Sequence, residues 1–330
     1  MTQLQALAPH QGIALTSLKC PTFVSTRMSC MAKHGMGMTR LRRSLFVAAA
    51  LAMLLAWPFS RAWAFDPVAD MAVRYGAEVD RRLAVPLSEA RRYARLGEEA
   101  LATAELSEAA PQYLALVDRD PNIQALFLFF RGGEGDWQLV GASPVSTGRP
   151  GSFDHFETPT GVFDHSLANP DFRAEGTVNG NGIRGYGARG MRVFDFGWQR
   201  VPKGWGDGAV IQMRLQMHAT DPDLLERRLG TAQSKGCIRI PATLNRLIDR
   251  YGLLDADYLQ APADHPSLWV LESQREPVPF PGRYLVVVDT RREDRPDWSP
   301  APYIPHRRPA APAGRQPSGD LLRGSAPPRH

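Results

Sequence analysis

Cysteine and lysine are both scarce in this sequence. Three cysteines occur in 330 residues, and two of them, Cys20 and Cys30, precede residue 64. The rest of the chain has Cys237 alone, which excludes an intramolecular disulfide framework there. Four of the 39 basic residues are Lys, so arginine carries nearly all of the positive charge.

Acidic residues are absent from positions 1–64, which hold seven Lys and Arg side chains. The last 40 residues are also basic, whereas the region 65–290 has 24 basic and 30 acidic side chains. A nucleic-acid partner requires a clustered basic face, and this mildly acidic centre offers none. We therefore expect no nucleic-acid binding. A hydrophobic content of 43% with 22% charged residues excludes a disordered chain and a polytopic membrane protein.

The N-terminal region has the pattern of an export signal. Basic residues up to Arg43 precede an apolar run over 45–57, and Ala62-Trp63-Ala64 follows as a small-x-small cleavage site. The run is shorter than the ~20 residues of a transmembrane helix, so we expect no stable membrane span after cleavage. Residues 1–64 are thus predicted to be an export signal, with a possible misannotated extension before the true translation start. We expect the protein in the periplasm or cell envelope; Sec export, twin-arginine export and a retained anchor all stay open.

The remaining chain divides into three regions. Apolar residues at helical spacing predict a short helical segment over 65–111. Strand-like runs separated by Gly-rich breaks predict one mainly β domain with short helices over 112–290. Its predicted strands cover 113–117, 125–130, 137–140, 192–196, 210–217 and 284–288. Nine prolines and scattered Arg predict an extended or disordered tail over 291–330.

One predicted strand alternates apolar and polar residues without a break. Its apolar members are Ile211, Met213, Leu215 and Met217, and its polar members are Gln212, Arg214, Gln216 and His218. This period of two is typical of a half-buried strand, and it places His218 on the polar face at the carboxyl end. An Asp-Pro pair then predicts a helix over 222–229, and a second helix is predicted between Pro241 and Gly252.

Cys237 is the candidate nucleophile. An unpaired thiol in an exported protein is prone to oxidation, so its presence indicates a reactive role; the alternative is a buried, inert thiol. A free thiol of pKa ~8.5 needs a base or a positive neighbour to be activated. His218 can remove the proton, and Lys235 adds positive charge beside the loop. Gly236 lets a reacting carbonyl approach closely, and the backbone amides around Gly236 and Cys237 could hold an oxyanion. Arg239 suits bidentate binding of a carboxylate.

These residues carry a resemblance to a known family. His218, followed after fifteen residues by Ser234-Lys235-Gly236-Cys237-Ile238-Arg239, resembles the signature of L,D-transpeptidases with a YkuD-type catalytic domain. The upstream segments Ser146-Thr147-Gly148 and Thr158-Pro159-Thr160-Gly161 resemble the strand and turn before the site in that family. The resemblance covers about 112–290. Ala219 stands where the family often has Gly, and Lys235 where it often has His, which bears on substrate preference.

The resemblance implies a β-sandwich or barrel domain and a cysteine acyltransferase that acts on peptidoglycan, with no metal or cofactor. Cys237 would attack the carbonyl that joins the third residue of a donor stem peptide to its terminal D-alanine. D-Alanine would leave, and the thioester would pass to an acceptor amine while His218 moves protons in both steps. Ser234 and Gly236 would shape the oxyanion loop, and Arg239 and Lys235 would bind the substrate.

Other functions remain open at this point. Transfer of the acyl group from the thioester to water would make the chain an L,D-carboxypeptidase or hydrolase. A non-catalytic module that has the same fold and binds the cell envelope is the other alternative. His218, Asp221 and Cys237 form only a weak zinc-ligand pattern, and we predict no metal. Among the remaining polar residues, we expect His155 and His165 in surface loops and Asp249 and Asp255 in solvent.

Overall fold

The computed structural model describes residues 66–106, 110–133 and 135–304. The predicted export signal and the end of the predicted tail lie outside the described residues. Within the described part, none of the helices is long and apolar enough to cross a membrane.

The described elements are short helices and strands. The helices are α1 (Pro67–Glu78), α2 (Leu87–Thr103), α3 (Ala242–Tyr251) and α4 (Ala256–Gln260), with 3-10 turns at Glu226–Arg228 and Pro266–Val270. The strands are β1 (Gln112–Asp118), β2 (Ala125–Arg131), β3 (Gln138–Pro144), β4 (Gly161–Asp164), β5 (Phe172–Arg173), β6 (Arg192–Pro202), β7 (Val210–Ala219), β8 (Ile238–Ile240) and β9 (Tyr284–Val288). The carboxylate of Asp66 accepts two amide hydrogens and begins α1, and Gly252, in the left-handed conformation, ends α3.

The strands form two mixed sheets. The larger sheet has the order β3-β2-β1-β9-β4, and the smaller has the order β5-β6-β7-β8. Neighbouring strands run antiparallel except for β1 with β9 and β7 with β8, which run parallel. Neither sheet closes into a barrel among the described strands. The prediction of a mainly β fold with short helices is therefore confirmed, with open sheets.

The main core contains residues of both sheets, for example Val117 and Leu285 of the larger sheet and Leu215 and Ile238 of the smaller. β1 and β2 are buried along their whole length, because α2 covers the other face of the larger sheet with residues such as Tyr93. α1 contributes to the main core. The predicted helical segment therefore packs directly on the predicted β domain.

Several segments differ from their sequence predictions. The predicted helix over 222–229 is wrong: the chain forms turns and the 3-10 turn Glu226–Arg228, because the amides of Leu225 and Glu226 both donate to the Asp221 carbonyl and no regular helical ladder follows. β4, β5 and β8 were not predicted, since two to four residues are too few for a pattern, and β8 forms by pairing with β7. Residues 291–304, which we call the C-terminal strap, are extended but pack on the domain, with Trp298 against Phe127.

Candidate active site

The register between β7 and β8 decides which side chains meet at the site. The two strands are parallel, and His218 lies opposite Arg239 while Met217 lies opposite Ile238. Because side chains alternate along a strand, Met217 and Ile238 enter the main core and His218 and Arg239 share the other face. Cys237 lies two residues before Arg239 and so belongs on that same face. The sheet thus brings together three residues that the sequence analysis singled out.

The thiol of Cys237 is free and half-buried. Its Sγ lies 3.9 Å from the carbonyl oxygen of Arg214, a weak hydrogen bond, and it makes no hydrogen bond to His218 within the described part of the chain. Burial raises the pKa of the thiol to about 11, although the Gln216 amide and the charge of Arg239 act in the opposite direction. At neutral pH the group is therefore a thiol.

The imidazole of His218 is buried, and its orientation is set by the backbone. Its Nδ1 lies 2.6 Å from the carbonyl oxygen of Ala219, so Nδ1–H donates and Nε2 keeps a free lone pair. Burial lowers the pKa of His218 to about 4, and the charge of Arg239 lowers it further. The ring is neutral at pH 7 and can accept a proton at Nε2.

Tyr186 and Gln216 border the same face and were not singled out from the sequence as site residues. The ring of Tyr186 stands edge-on to His218 at 4.7 Å between centroids, and its hydroxyl donates to Gln216 Oε1 at 3.2 Å. Gln216 in turn donates to the buried carboxylate of Asp195 at 2.8 Å. The polar half of the β7 alternation signals Gln216. No local pattern signals Tyr186, because it comes from the Gly-rich region before β6.

Hydrogen bonds of Ser234 shape the loop that holds Cys237. Its Oγ donates to the Cys237 carbonyl and accepts the amide hydrogen of Gly236 at 3.0 Å. Gly236 has a φ of +129°, and a side chain there would meet Met213 and Phe156. Of the two amides predicted as oxyanion donors, that of Gly236 is thus already bonded. The Cys237 amide has no acceptor among the described hydrogen bonds and remains the candidate donor.

The two upstream segments support this loop. Thr158 Oγ1 donates to the carbonyl oxygen of Gly236 at 2.7 Å and accepts the amide hydrogen of Gly148 at 2.8 Å. A Cβ on Gly148 would lie 2.1 Å from the carbonyl oxygen of Phe156 and 2.9 Å from the Cα of Gly236. Ser146 pairs with the backbone of Arg239 on the outer side of β8. The segments predicted to precede the site therefore touch it.

The two predicted substrate-binding cations differ in their surroundings. Arg239 is half-buried, and its guanidinium makes no hydrogen bond or ion pair to any described residue; burial lowers its pKa. Lys235 is exposed and forms an ion pair with Asp154 at 2.7 Å. The geometry leaves Arg239 available to an anion beside Cys237, whereas the charge of Lys235 is paired in the outer loop.

The residues of the weak zinc pattern do not gather into one ligand set in the described structure. Asp221 accepts the amide hydrogens of Arg184, Asp223 and Leu224, which together with the nearby Arg184 charge lower its pKa against the effect of burial. Its carboxylate organises the chain after β7, and it ties the Gly-rich region to the segment that leads to Cys237.

Comparisons with known proteins give little further information. No protein-family model matches this chain, and no curated protein matches it. Among solved structures, it is similar to a fused Zn-dependent amidase/peptidase/peptidoglycan-binding domain-containing protein from Clostridium acetobutylicum, with a TM-score of 0.24 and 12% sequence identity. The match covers 62% of this chain and 63% of that one. A likeness this slight carries no argument about fold or function.

Proposed function

We propose that this chain is an exported L,D-transpeptidase, a cysteine acyltransferase that acts on peptidoglycan stem peptides in the cell envelope. The observation that carries the proposal is the pairing of β7 with β8, which places Cys237, His218 and an unpaired Arg239 on one sheet face. The family resemblance of the same residues supports it. No cofactor enters the proposal.

The first half-reaction forms a thioester. Sγ of Cys237 bonds to the carbonyl carbon between the third residue of the donor stem and D-alanine, and its proton passes to Nε2 of His218. The Cys237 amide donates to the carbonyl oxygen as it becomes an oxyanion, a contact typically worth ~3 kcal/mol of barrier. The C–N bond then breaks, and His218 gives the proton to the amine of the leaving D-alanine.

The second half-reaction resolves the thioester. An acceptor amine loses a proton to His218 and attacks the same carbonyl, and the proton returns to Sγ as the C–S bond breaks. Because thiol and imidazole are both neutral in the resting site, proton transfer accompanies the attack. Arg239 binds the carboxylate of D-alanine, which orients the donor with its scissile bond at Cys237.

The test uses purified protein and muropeptides that end in a tetrapeptide stem. We expect D-alanine release, incorporation of a labelled D-amino acid into the product, and loss of both in Cys237→Ala. Release of D-alanine without incorporation of any amine would identify a hydrolase with the same residues. Unchanged muropeptides with folded protein across several acceptor amines would contradict the enzyme proposal. Recovery of the protein from the cytoplasm alone would contradict export.

A further inference from the structure

A second arginine, close enough to Arg239 to affect it, has no counter-charge among the described residues. Arg228 is half-buried in the 3-10 turn that follows β7, and its Nε is buried without a hydrogen-bond partner. Its guanidinium makes no ion pair with any described carboxylate. Arg228 also contributes to the lowered pKa of Arg239, after the effect of burial, so the two positive charges are close enough to interact.

The C-terminal strap holds Arg228 in place. The guanidinium lies over the ring of Tyr303 at 5.3 Å, and the Tyr303 amide donates to Thr231 Oγ1 at 2.9 Å. The carbonyl of Thr231 accepts the hydroxyl of Ser146 at 2.6 Å, and Ser146 pairs with Arg239. A continuous set of contacts thus joins the guanidinium of Arg228 to the backbone of Arg239.

Partial removal of two guanidinium groups from water costs free energy unless anions neutralise their charges. One carboxylate at Arg239 leaves Arg228 uncompensated, so a ligand with two acidic groups fits the pair better than a monoanion. The third residue of the donor stem must lie at Cys237 for its carbonyl to react. An acidic group on the side chain of that residue is therefore the nearest second anion.

We propose that Arg228 is a specificity-determining residue, which binds a free side-chain carboxylate on the third residue of the donor stem while Arg239 binds the terminal carboxylate. This inference rests on the proposed function, because it takes the stem peptide as the ligand. It predicts that the site prefers a diamino diacid with a free carboxylate to the same residue in amidated form.

The experiment measures binding in the Cys237→Ala protein, which cannot turn the ligand over. The probes are two tetrapeptide stems with meso-diaminopimelate as third residue, one with its side-chain carboxylate free and one with it amidated. We expect the free form to bind roughly tenfold more tightly, as for one charge-assisted hydrogen bond. Adding Arg228→Gln should weaken the free form by that factor and leave the amidated form unchanged, and Arg228→Lys should restore part of the preference.

Arg227→Gln is the matched control, since Arg227 is exposed and also stacks on Tyr303, at 5.7 Å. It should keep the full preference. Equal affinity for the two stems, or equal effects of the Arg227 and Arg228 changes, would overturn the role of Arg228. If the stem with a free carboxylate still binds more tightly but the unsubstituted protein releases no D-alanine, the proposed function alone is overturned. Failure of both stems to bind would overturn both.

Discussion

At Cys237 and His218, burial acts on two pKa values in opposite directions. Both ionised forms lose hydration in the site, so the pKa of the thiol rises to about 11 and that of the imidazole falls to about 4. From the sequence, His218 was expected to activate the thiol by removing its proton. In the structure a neutral thiol and a neutral imidazole instead lie on the same sheet face, and the neutral thiol resists oxidation because the thiolate is the reactive form.

This pair predicts the pH dependence of thiol alkylation. The rate with iodoacetamide should be low at pH 7 and should rise towards pH 11, as the thiolate fraction grows. His218→Gln should change the profile little, because a neutral imidazole adds no charge to the site. The measurement is the alkylated fraction against time, by mass spectrometry, from pH 5 to 11. A rate that is already at its plateau near pH 7 would indicate a preformed thiolate–imidazolium pair.

At the scale of elements, short segments with little structure of their own hold Cys237. β8 has three residues, and its position depends on β7 on one side and on Ser146 on the other. Thr158 connects the loop of Cys237 to the segment that carries Gly148. The C-terminal strap extends the same support through Tyr303. Such short elements are stable only through contacts with their neighbours.

The hydrogen bonds of Thr158 give a prediction at this scale. Thr158→Val keeps the shape of the side chain but leaves the Gly148 amide and the Gly236 carbonyl without a partner. We expect a loss of about 1–3 kcal/mol in the free energy of unfolding, measured by chemical denaturation, and lower D-alanine release from the folded protein. Thr160→Val is the control, because Thr160 is exposed and should change stability by less than about 0.5 kcal/mol. Equal effects of the two changes would contradict a supporting role for Thr158.

At the scale of the whole molecule, a buried ionic network includes three residues that were expected at the surface from the sequence, His165, Asp249 and Asp255. Arg192 is fully buried and contacts Asp171 at 2.6 Å and Asp255 at 2.8 Å. His165 is also fully buried: Nδ1 lies 2.8 Å from the Leu254 carbonyl and Nε2 lies 2.9 Å from Asp171. The prediction that His165 lies in a surface loop is wrong, as are those of a solvated Asp249 and a solvated Asp255, because both carboxylates are buried against Arg192. The network joins β6 to the segments around α4.

This network predicts how stability depends on pH. Burial acts to lower the pKa of His165, but Asp171 outweighs it and the pKa is raised. A raised pKa in the folded state means that the stabilisation is complete below about pH 6.5 and is lost as pH rises through the folded value. The free energy of unfolding should therefore fall on the alkaline side of pH 6.5. The pKa of Asp171 is lowered mainly by His165 and Arg192, against burial, so its own contribution is lost at acid pH.

His165→Gln tests this assignment by chemical denaturation at a series of pH values. The substitution should lower stability below pH 6.5 and remove most of the alkaline slope, because the group that releases a proton is gone. His155→Gln serves as the control, since His155 lies in the loop beside Asp154 and its ring has one described hydrogen bond, to the Phe153 carbonyl. A slope that survives in His165→Gln would assign the pH dependence to another group.

Much of the fold and part of the site follow from local sequence patterns. The alternation along β7 places His218 on a polar face, and Gly, Pro and apolar spacing predict most of the strands and α3, because these signals act over a few residues. The order of His218 and Cys237, with the motif around them, predicts the nucleophile and its base. No local sequence pattern predicts that Arg239 lacks an ion-pair partner among the described residues or that Arg192 is buried.

The remaining features depend on contacts between residues far apart in the chain. The pairing of β7 with β8 sets His218 opposite Arg239, and the same packing removes water from thiol and imidazole, which shifts both pKa values. Tyr186 and Thr158 reach the site from two separate segments. Residue types along the chain predict which chemistry is available, whereas the hydration and neighbours of each group are consequences of long-range packing.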